Sequence, residues 1–405
     1  MKNGVSYGIT CGVALLGGVA ALVNPSSMAQ AAATFSESLI GGKASLDVRY
    51  RYEHVEQDNA LQEATASTVR SRLGYLTDPF HGVNGYLEFE NITVVGDENY
   101  NSGVNGKTQY SLVSDPEGTE VNQAYLSVST LPATVVKVGR QRLLLDNQRF
   151  VGNVGWRQNE QTFDAVSLAN KSLPDTTITY AHLSNVNRIT GLNANMASDI
   201  LNASYGGWTA GTLSAYVYLL DYAQGASAST RTAGVRFTGA AKLSEQAKLL
   251  YTAEWAQQGD YADNPASYDL NYLFAEVGGA LSGVTAKLGY EALEGDGTRA
   301  VQTPLATLHA FNGWADQFLT TPAAGLEDTY LSVGGALLGV DLLVVYHDYA
   351  ANSGGGDYGT ELNFQAAKKF AKLYTVTAKY ASYSAGDLAG KVDTDKVWLM
   401  GQVAF

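Results

Sequence analysis

Arginine recurs at alternate positions in two neighbouring segments, Arg49 and Arg51 in DVRYRYE, then Arg70 and Arg72 in TVRSRLG. A guanidinium is a planar fork of donors that grips carboxylates in pairs, and rows of such forks draw anions. Glu88 and Glu90 follow at the same spacing and can pair with part of the row. Lys137 and Arg236 add isolated cations further on. Two chemistries fit this pattern. One is a transverse charge network that holds a wide structure open; the other is a basic lane for anionic solutes. They are compatible.

Two further stretches stand out. In VGRQRLLLDNQRFVGNVGWRQNEQTFD (138–164), Arg140, Arg142, Arg149 and Arg157 lie among Asp146, Asn147, Gln148, Trp156 and Asn159. A loop packed with arginines and a Trp fits an inward fold that meets interior charges. The alternative is a surface loop paired with lipopolysaccharide phosphates. Gly152 and Gly155 permit a tight path. The second stretch, 295–325, carries TPLATLHAFNGWADQFLTTPAAG. Thr303-Pro304 reads as a helix N-cap and first helical position, and Asn312-Gly313 as its stop. A short helix bearing His309, Phe311, Trp314 and Phe318 is then expected, either stacking on sugar faces at a channel mouth or packing on itself as a cap.

The elements that must position these residues are strands. Beyond residue 40 no helical stripe is sustained; segments of roughly ten residues alternate apolar and polar side chains between Gly, Asn, Asp and Pro. Leu46, Val48, Tyr50 and Tyr52 oppose Asp47, Arg49, Arg51 and Glu53; Leu87 and Phe89 oppose Tyr86, Glu88 and Glu90. Val284, Ala286, Leu288 and Tyr290 oppose Lys287 and Glu291; Tyr358, Leu362 and Phe364 oppose Glu361, Asn363 and Gln365. Short turns, such as 78–82, 129–133, 281–283 and 338–339, alternate with long loops, among them 96–119, 142–160 and 295–325. Short turns on one side and long loops on the other describe an all-β transmembrane antiparallel barrel of about 18 strands, with 16 the next count. A closed barrel pairs every backbone group internally, which lipid demands. Val397, Leu399, Gly401, Val403 and Phe405 alternate to the end of the chain, and a terminal aromatic of this kind suits recognition by the bacterial barrel-assembly machinery.

Composition agrees with this layout. Of 405 residues, 43 are Gly and 25 Tyr, with 8 Pro and 1 Cys, which excludes a disulfide scaffold. Only 16% are charged, too few for a disordered chain. Lys+Arg 26 against Asp+Glu 39 leaves −13, so nucleic acid is not an expected partner. Lys2, the apolar Ile9 to Val23 and the small residues Ala29, Ala31, Ala32 and Ala33 read as a secretory leader over 1–33, cut after Ala31 or Ala33. Residues 34–405 are then one barrel domain in the outer membrane of a Gram-negative bacterium. Outer-membrane lipid and lipopolysaccharide are expected to surround it, as a monomer.

GRQRLLLDNQRFVGNVGWRQNEQTFD, together with HAFNGWADQFLTTPAAGLEDTY and the terminal Phe, resembles the bacterial alginate export family of outer-membrane barrels. The resemblance covers nearly all of the chain after the leader. It implies an 18-stranded barrel with an Arg-lined, anion-selective pore for an acidic polysaccharide of uronic acids. Gly139, Arg140, Gln141, Asp146, Arg149, Gly152, Trp156 and Asp164 match the family's strand-loop-strand motif, and His309, Gly313, Trp314 and Asp316 its long-loop motif. The chain departs from the alginate exporter in being shorter and in having no short turn long enough to act as a periplasmic gate. Uptake of anionic oligosaccharides, or unselective diffusion, therefore stays open beside export.

Catalysis is not expected. His54, His81, His182, His309 and His347 sit in no nucleophile motif. The Gly-rich runs lack a strand-helix context for nucleotides, and the loop acids Asp97, Glu98, Asp260, Asp263 and Asp357 lack EF-hand spacing. No cofactor or metal is expected. The reading is a passive channel for anionic solutes, with acidic saccharides such as uronates favoured. A general diffusion porin and a plugged structural barrel are the alternatives.

Overall fold

The computed structural model describes Ala32 and residues 34–405. The leader expected over 1–33 otherwise lies outside the described residues.

Eighteen strands form one antiparallel sheet. The first nine are β1 (Lys43–Gln57), β2 (Ala64–Leu76), β3 (Val83–Val94), β4 (Gly118–Val128), β5 (Thr134–Gln141), β6 (Thr162–Asn170), β7 (Thr176–Asn187), β8 (Asn193–Trp208) and β9 (Gly211–Leu220). The second nine are β10 (Thr230–Lys242), β11 (Ala247–Asp260), β12 (Asp269–Leu281), β13 (Val284–Leu293), β14 (Leu326–Leu337), β15 (Val340–Ala350), β16 (Asp357–Phe370), β17 (Tyr374–Ala385) and β18 (Thr394–Ala404). Each pairs with its neighbours in sequence, and β1 pairs with β18 from Asp47↔Ala404 to Gln57↔Thr394, which closes the barrel. The count is the expected 18.

Alternation sets the two faces. In β1, Arg49, Arg51 and Glu53 are buried, while Tyr50 is exposed. Leu73, Phe89, Val138, Leu201, Leu288 and Leu399 stand outside, the face that meets lipid. Tyr205, Trp208, Phe237 and Tyr251 form a chain of ring contacts with centroids 5.7 to 6.3 Å apart near the short-turn rim, an aromatic girdle. The tightest hairpins are two residues long. Ser282-Gly283 and Leu338-Gly339 hold positive φ at both positions, matching the twist of the strands they join.

Three features differ from the sequence expectations. A capped helix, α1 (Phe35–Ile40), precedes β1; Thr34 accepts from the Glu37 amide, and Ser38 and Asp78 tie the helix to the β2–β3 turn. The helix expected over 303–312 is only a single 3₁₀ turn, Leu308–Ala310. Leu305 instead pairs in parallel with Val151, so its backbone is committed to an extended bridge and cannot also coil. Tyr358 is not on the lipid face. A register shift opposite Tyr349 and Ala350 reverses the alternation there and turns Tyr358 inward, its ring 5.6 Å from that of Phe318.

Gly359 makes that shift possible. Its φ is +107°, and a Cβ there would lie 2.0 Å from the Ser384 carbonyl oxygen. Gly359→Ala should therefore lower the unfolding free energy by about 1–3 kcal/mol, read by urea titration of the reconstituted barrel. An unchanged midpoint would show that the bulge relaxes freely.

Candidate functional site: the charged interior and its loop plug

At the long-loop end the inward side chains of the wall do not face open water. Three connections fold into the barrel and cover them: L2 (95–117), L3 (142–161) and L7 (294–325). L3 and L7 take the inward course rather than forming surface loops. Arg49, Arg51, Arg70 and Arg72 lie side by side on β1 and β2, with Arg49 directly opposite Arg70 in register. All four are at most 5% exposed. Like charges so close and so dry need acceptors, and the loops provide them.

Arg49 is held by neutral oxygens alone. Its Nε donates to Gln158 Oε1 at 2.9 Å, and its terminal nitrogens donate to the carbonyls of Gly155, Trp156 and Arg157 at 3.1, 3.0 and 2.5 Å. Arg51 meets Asp115 of L2 at 3.0 Å and also donates to the Trp156 carbonyl. Arg70 donates to Asp47 at 2.5 Å. Arg72 pairs with Glu90 and, at 3.6 Å, with Glu160 of L3. Arg142 bridges Glu160 at 2.6 Å and Glu88 at 2.9 Å. Arg157 takes Glu53 at 3.0 Å and Asp316 at 3.0 Å. Six cations (Arg49, 51, 70, 72, 142, 157) thus share one sector with six carboxylates (Asp47, Glu53, Glu88, Glu90, Asp115, Glu160), besides Asp316, which Lys396 also holds. Burial alone would raise the Glu160 carboxyl, yet Arg142 and Arg72 hold it down at about 2.

The opposite side of the plug is built in the same way. Arg149 donates to Glu291 at 2.7 Å, Thr303 at 3.2 Å and Asn312 at 3.0 Å. Asn312 in turn donates to Glu291 and Asp328. L3 and L7 are joined by the Val151–Leu305 bridge and by Gln161 donating to the Leu305 carbonyl. Gly152 sits at that junction, where a Cβ would fall 2.3 Å from Thr307 Oγ1. Asp146 accepts from Asn202 of the wall at 2.6 Å.

An aromatic cage pins both loops to the last strands. Trp156 stacks on His309 at 4.2 Å between centroids, 3° from parallel. The Lys379 ammonium of β17 lies 3.9 Å from the Trp156 ring, 3.8 Å from Trp314 and 5.4 Å from Trp398, and donates to His309 Nε2 at 2.9 Å. His309 Nδ1 donates to Asp316 at 2.7 Å. Burial, and then the Lys379 charge, push the His309 imidazole well below its usual range, so the ring stays neutral and can serve both bonds. The Trp314 and Ala315 amides donate to Glu361 at 2.5 and 2.8 Å.

The short-turn half is more open. Half-exposed Lys137 rests 4.6 Å from the Tyr125 ring centroid, and Arg236 pairs with Glu254 at 2.5 Å. Arg140 is placed elsewhere than expected. Its neighbour Gln141 is buried, accepting from Ser167, so Arg140 takes the outer side of β5 and clasps Asp164 at 2.7 and 3.0 Å. Sequence reasoning missed Asp115, Gln158, Glu160, Asp328 and Lys396, although Glu160 and Gln158 stand within the quoted Arg-rich loop. Among the described residues no group of three or more His, Cys, Asp or Glu converges to hold a metal.

A closed barrel with a lipid-facing apolar wall, a charged interior and inward loops defines an outer-membrane channel. The alginate export family matches residues 43–292, and the chain belongs to that family, which places it in the Gram-negative outer membrane. Solved structures of the same fold include OccK9 (OpdG) of Pseudomonas aeruginosa, at TM-score 0.74 and 13% identity over 91% of this chain and 100% of that one. OpdK of Pseudomonas aeruginosa with vanillate gives 0.70 and 14%, over 90% and 98%. OccAB4 of Acinetobacter baumannii gives 0.69 and 13%, over 90% and 98%. No curated protein matches the sequence.

Glu160→Gln should leave the wall intact but loosen L3, because Arg72 and Arg142 lose their shared carboxylate. Trypsin should then cut at Arg149 or Arg157 in the variant and spare the original protein. Equal resistance would mean that the cage alone holds the loop.

Proposed function

We propose that the barrel is a passive channel with a preference for anionic solutes, acidic oligo- or polysaccharides of the uronate type being the favoured cargo. The carrying observation is how the interior charges are left over after pairing. Among the inward wall carboxylates, Asp47, Glu53, Glu88, Glu90, Glu254, Glu276 and Glu291 each have an arginine or lysine within 4.0 Å, while Asp328 meets His347 and Glu361 takes the Trp314 and Ala315 amides. Arg49 bonds only to neutral oxygens. Lys137 and the exposed Lys248, on the inward faces of β5 and β11, have no carboxylate partner among the described residues. Cations without acids on the inward wall of the short-turn half would concentrate anions there, although the chain as a whole is acidic. Family membership supports saccharide cargo, because the family is named for alginate, a polyuronate.

A general diffusion pore is the second reading. It draws on the balance of six cations and six carboxylates in the β1–β4 sector, which leaves little net field there. Transport is read as following the solute gradient, in either direction, with no catalytic step.

Planar-bilayer recordings across a salt gradient, with added oligouronate, test the reading. Anion-selective current blocked by oligouronate is expected. Weakly selective current without block would replace it by the diffusion pore, and silence from folded protein by a plugged barrel. Arg70→Ala and Arg72→Ala each strip a carboxylate of its cation, so their reversal potentials should move toward cation selectivity. Unchanged potentials would remove the arginine row from any role in permeation.

A further inference from the structure

Among the outer loops, a cavity of about 340 Å³ opens where L7 meets L3 and the β17–β18 connection. Its wall carries three cations, Arg157, Lys391 and Lys396, and a single carboxylate, Asp316. That carboxylate is fully engaged. One oxygen accepts from His309 at 2.7 Å; the other accepts from Arg157 at 3.0 Å and Lys396 at 2.9 Å. Glu53 supports Arg157 from the barrel wall at 3.0 and 3.2 Å. Among the described residues Lys396 has no second acid and Lys391 has none. The Lys391 ammonium donates to the Gln317 carbonyl and lies 4.5 Å from the Phe318 ring centroid. An ammonium has three donors, so two of its N–H groups remain for a ligand.

The other surroundings suit a sugar acid better than a bare ion. Gln57 and Gln317 both donate their amide N–H to Thr394 Oγ1, at 3.3 and 3.0 Å, which leaves their amide oxygens to accept from hydroxyls. Leu308, Leu319 and Ile189 give the cavity apolar sides. The volume lies at the lower end of small-molecule pockets, which run from about 300 to 1,000 Å³.

We propose that this cavity is a carboxylate-binding site at the outer mouth, taking a single uronate-type sugar or a similarly small hydroxylated carboxylate, with Lys391 as its principal cation. Lys396 is the second, sharing its charge between Asp316 and the ligand. The inference deepens the anionic-solute reading and rests on it: it is a place at the outer mouth where such a solute is held. It is separate from the arginines of β1 and β2, which lie beneath L3 and are closed to a ligand approaching from outside.

The test is calorimetric titration of the detergent-solubilised full chain with glucuronate and with glucose, matched in ring and differing in the carboxylate. Glucuronate should bind at least about tenfold more tightly than glucose, and Lys391→Ala should weaken glucuronate about tenfold, the worth of one charge-assisted hydrogen bond. Lys391→Arg should retain binding. Equal affinity for the two sugars, or equal glucuronate affinity in Lys391→Ala and the original protein, would overturn the site. Reversal potentials on the same preparations separate the two ideas. An anion-selective barrel without Lys391-dependent binding ends the site and spares the channel reading. Lys391-dependent binding in a barrel without anion selectivity does the reverse.

Discussion

A guanidinium taken out of water must be given acceptors, and this barrel buries four of them side by side on its first two strands. Everything inside the outer half answers that requirement. Water is excluded there, so backbone carbonyls of L3 turn toward Arg49, and carboxylates arrive from L2 and L3 for Arg51 and Arg72. The loops are ordered because the wall is charged, and the wall can be charged because the loops are there. Removing either partner would leave the other with an ion and nothing to hold it.

The same logic joins L3 to L7. A parallel bridge, a shared carboxylate at Asp316 and the stacked Trp156–His309 pair make the two loops one body, seated on Lys379. The interior therefore divides along its axis. The outer half is a closely packed lattice of ion pairs, and in the inner half Lys137 and Lys248 stand without acids among the described residues beside the Lys287–Glu276 and Arg236–Glu254 pairs. The two halves therefore differ in how their charges are held, by close pairs in the first and by fewer, more open contacts in the second.

The wall was legible in the sequence because it is governed by a period of two and by alternating connection lengths. Eighteen strands, the inward arginines and the inward course of L3 follow from those patterns and from the density of charge in that loop. What was not legible depends on contacts between distant segments. Asp115 is an ordinary loop acid until the fold sets it against Arg51, 64 residues away. The segment after Thr303 has every local sign of a helix, and loses it because Leu305 is paired with Val151. Tyr358 was misplaced because a single extra residue reverses the alternation, and Arg140 because β5 runs on through it to Gln141 and puts it on the face opposite to that of Lys137.

L3 lies early in the chain, yet its Trp156 is packed between Lys379 of β17 and Trp398 of β18, and its carbonyls are held by β1. Those three strands are neighbours only once the first and last are joined. The packing that fills the interior can therefore be completed only after the seam has closed, whatever the order in which the strands enter the membrane. Until then the β1 and β2 arginines face a wet, unfinished lumen, where water serves as their acceptor. Closure of the barrel and drying of its interior are in this protein successive stages of a single assembly.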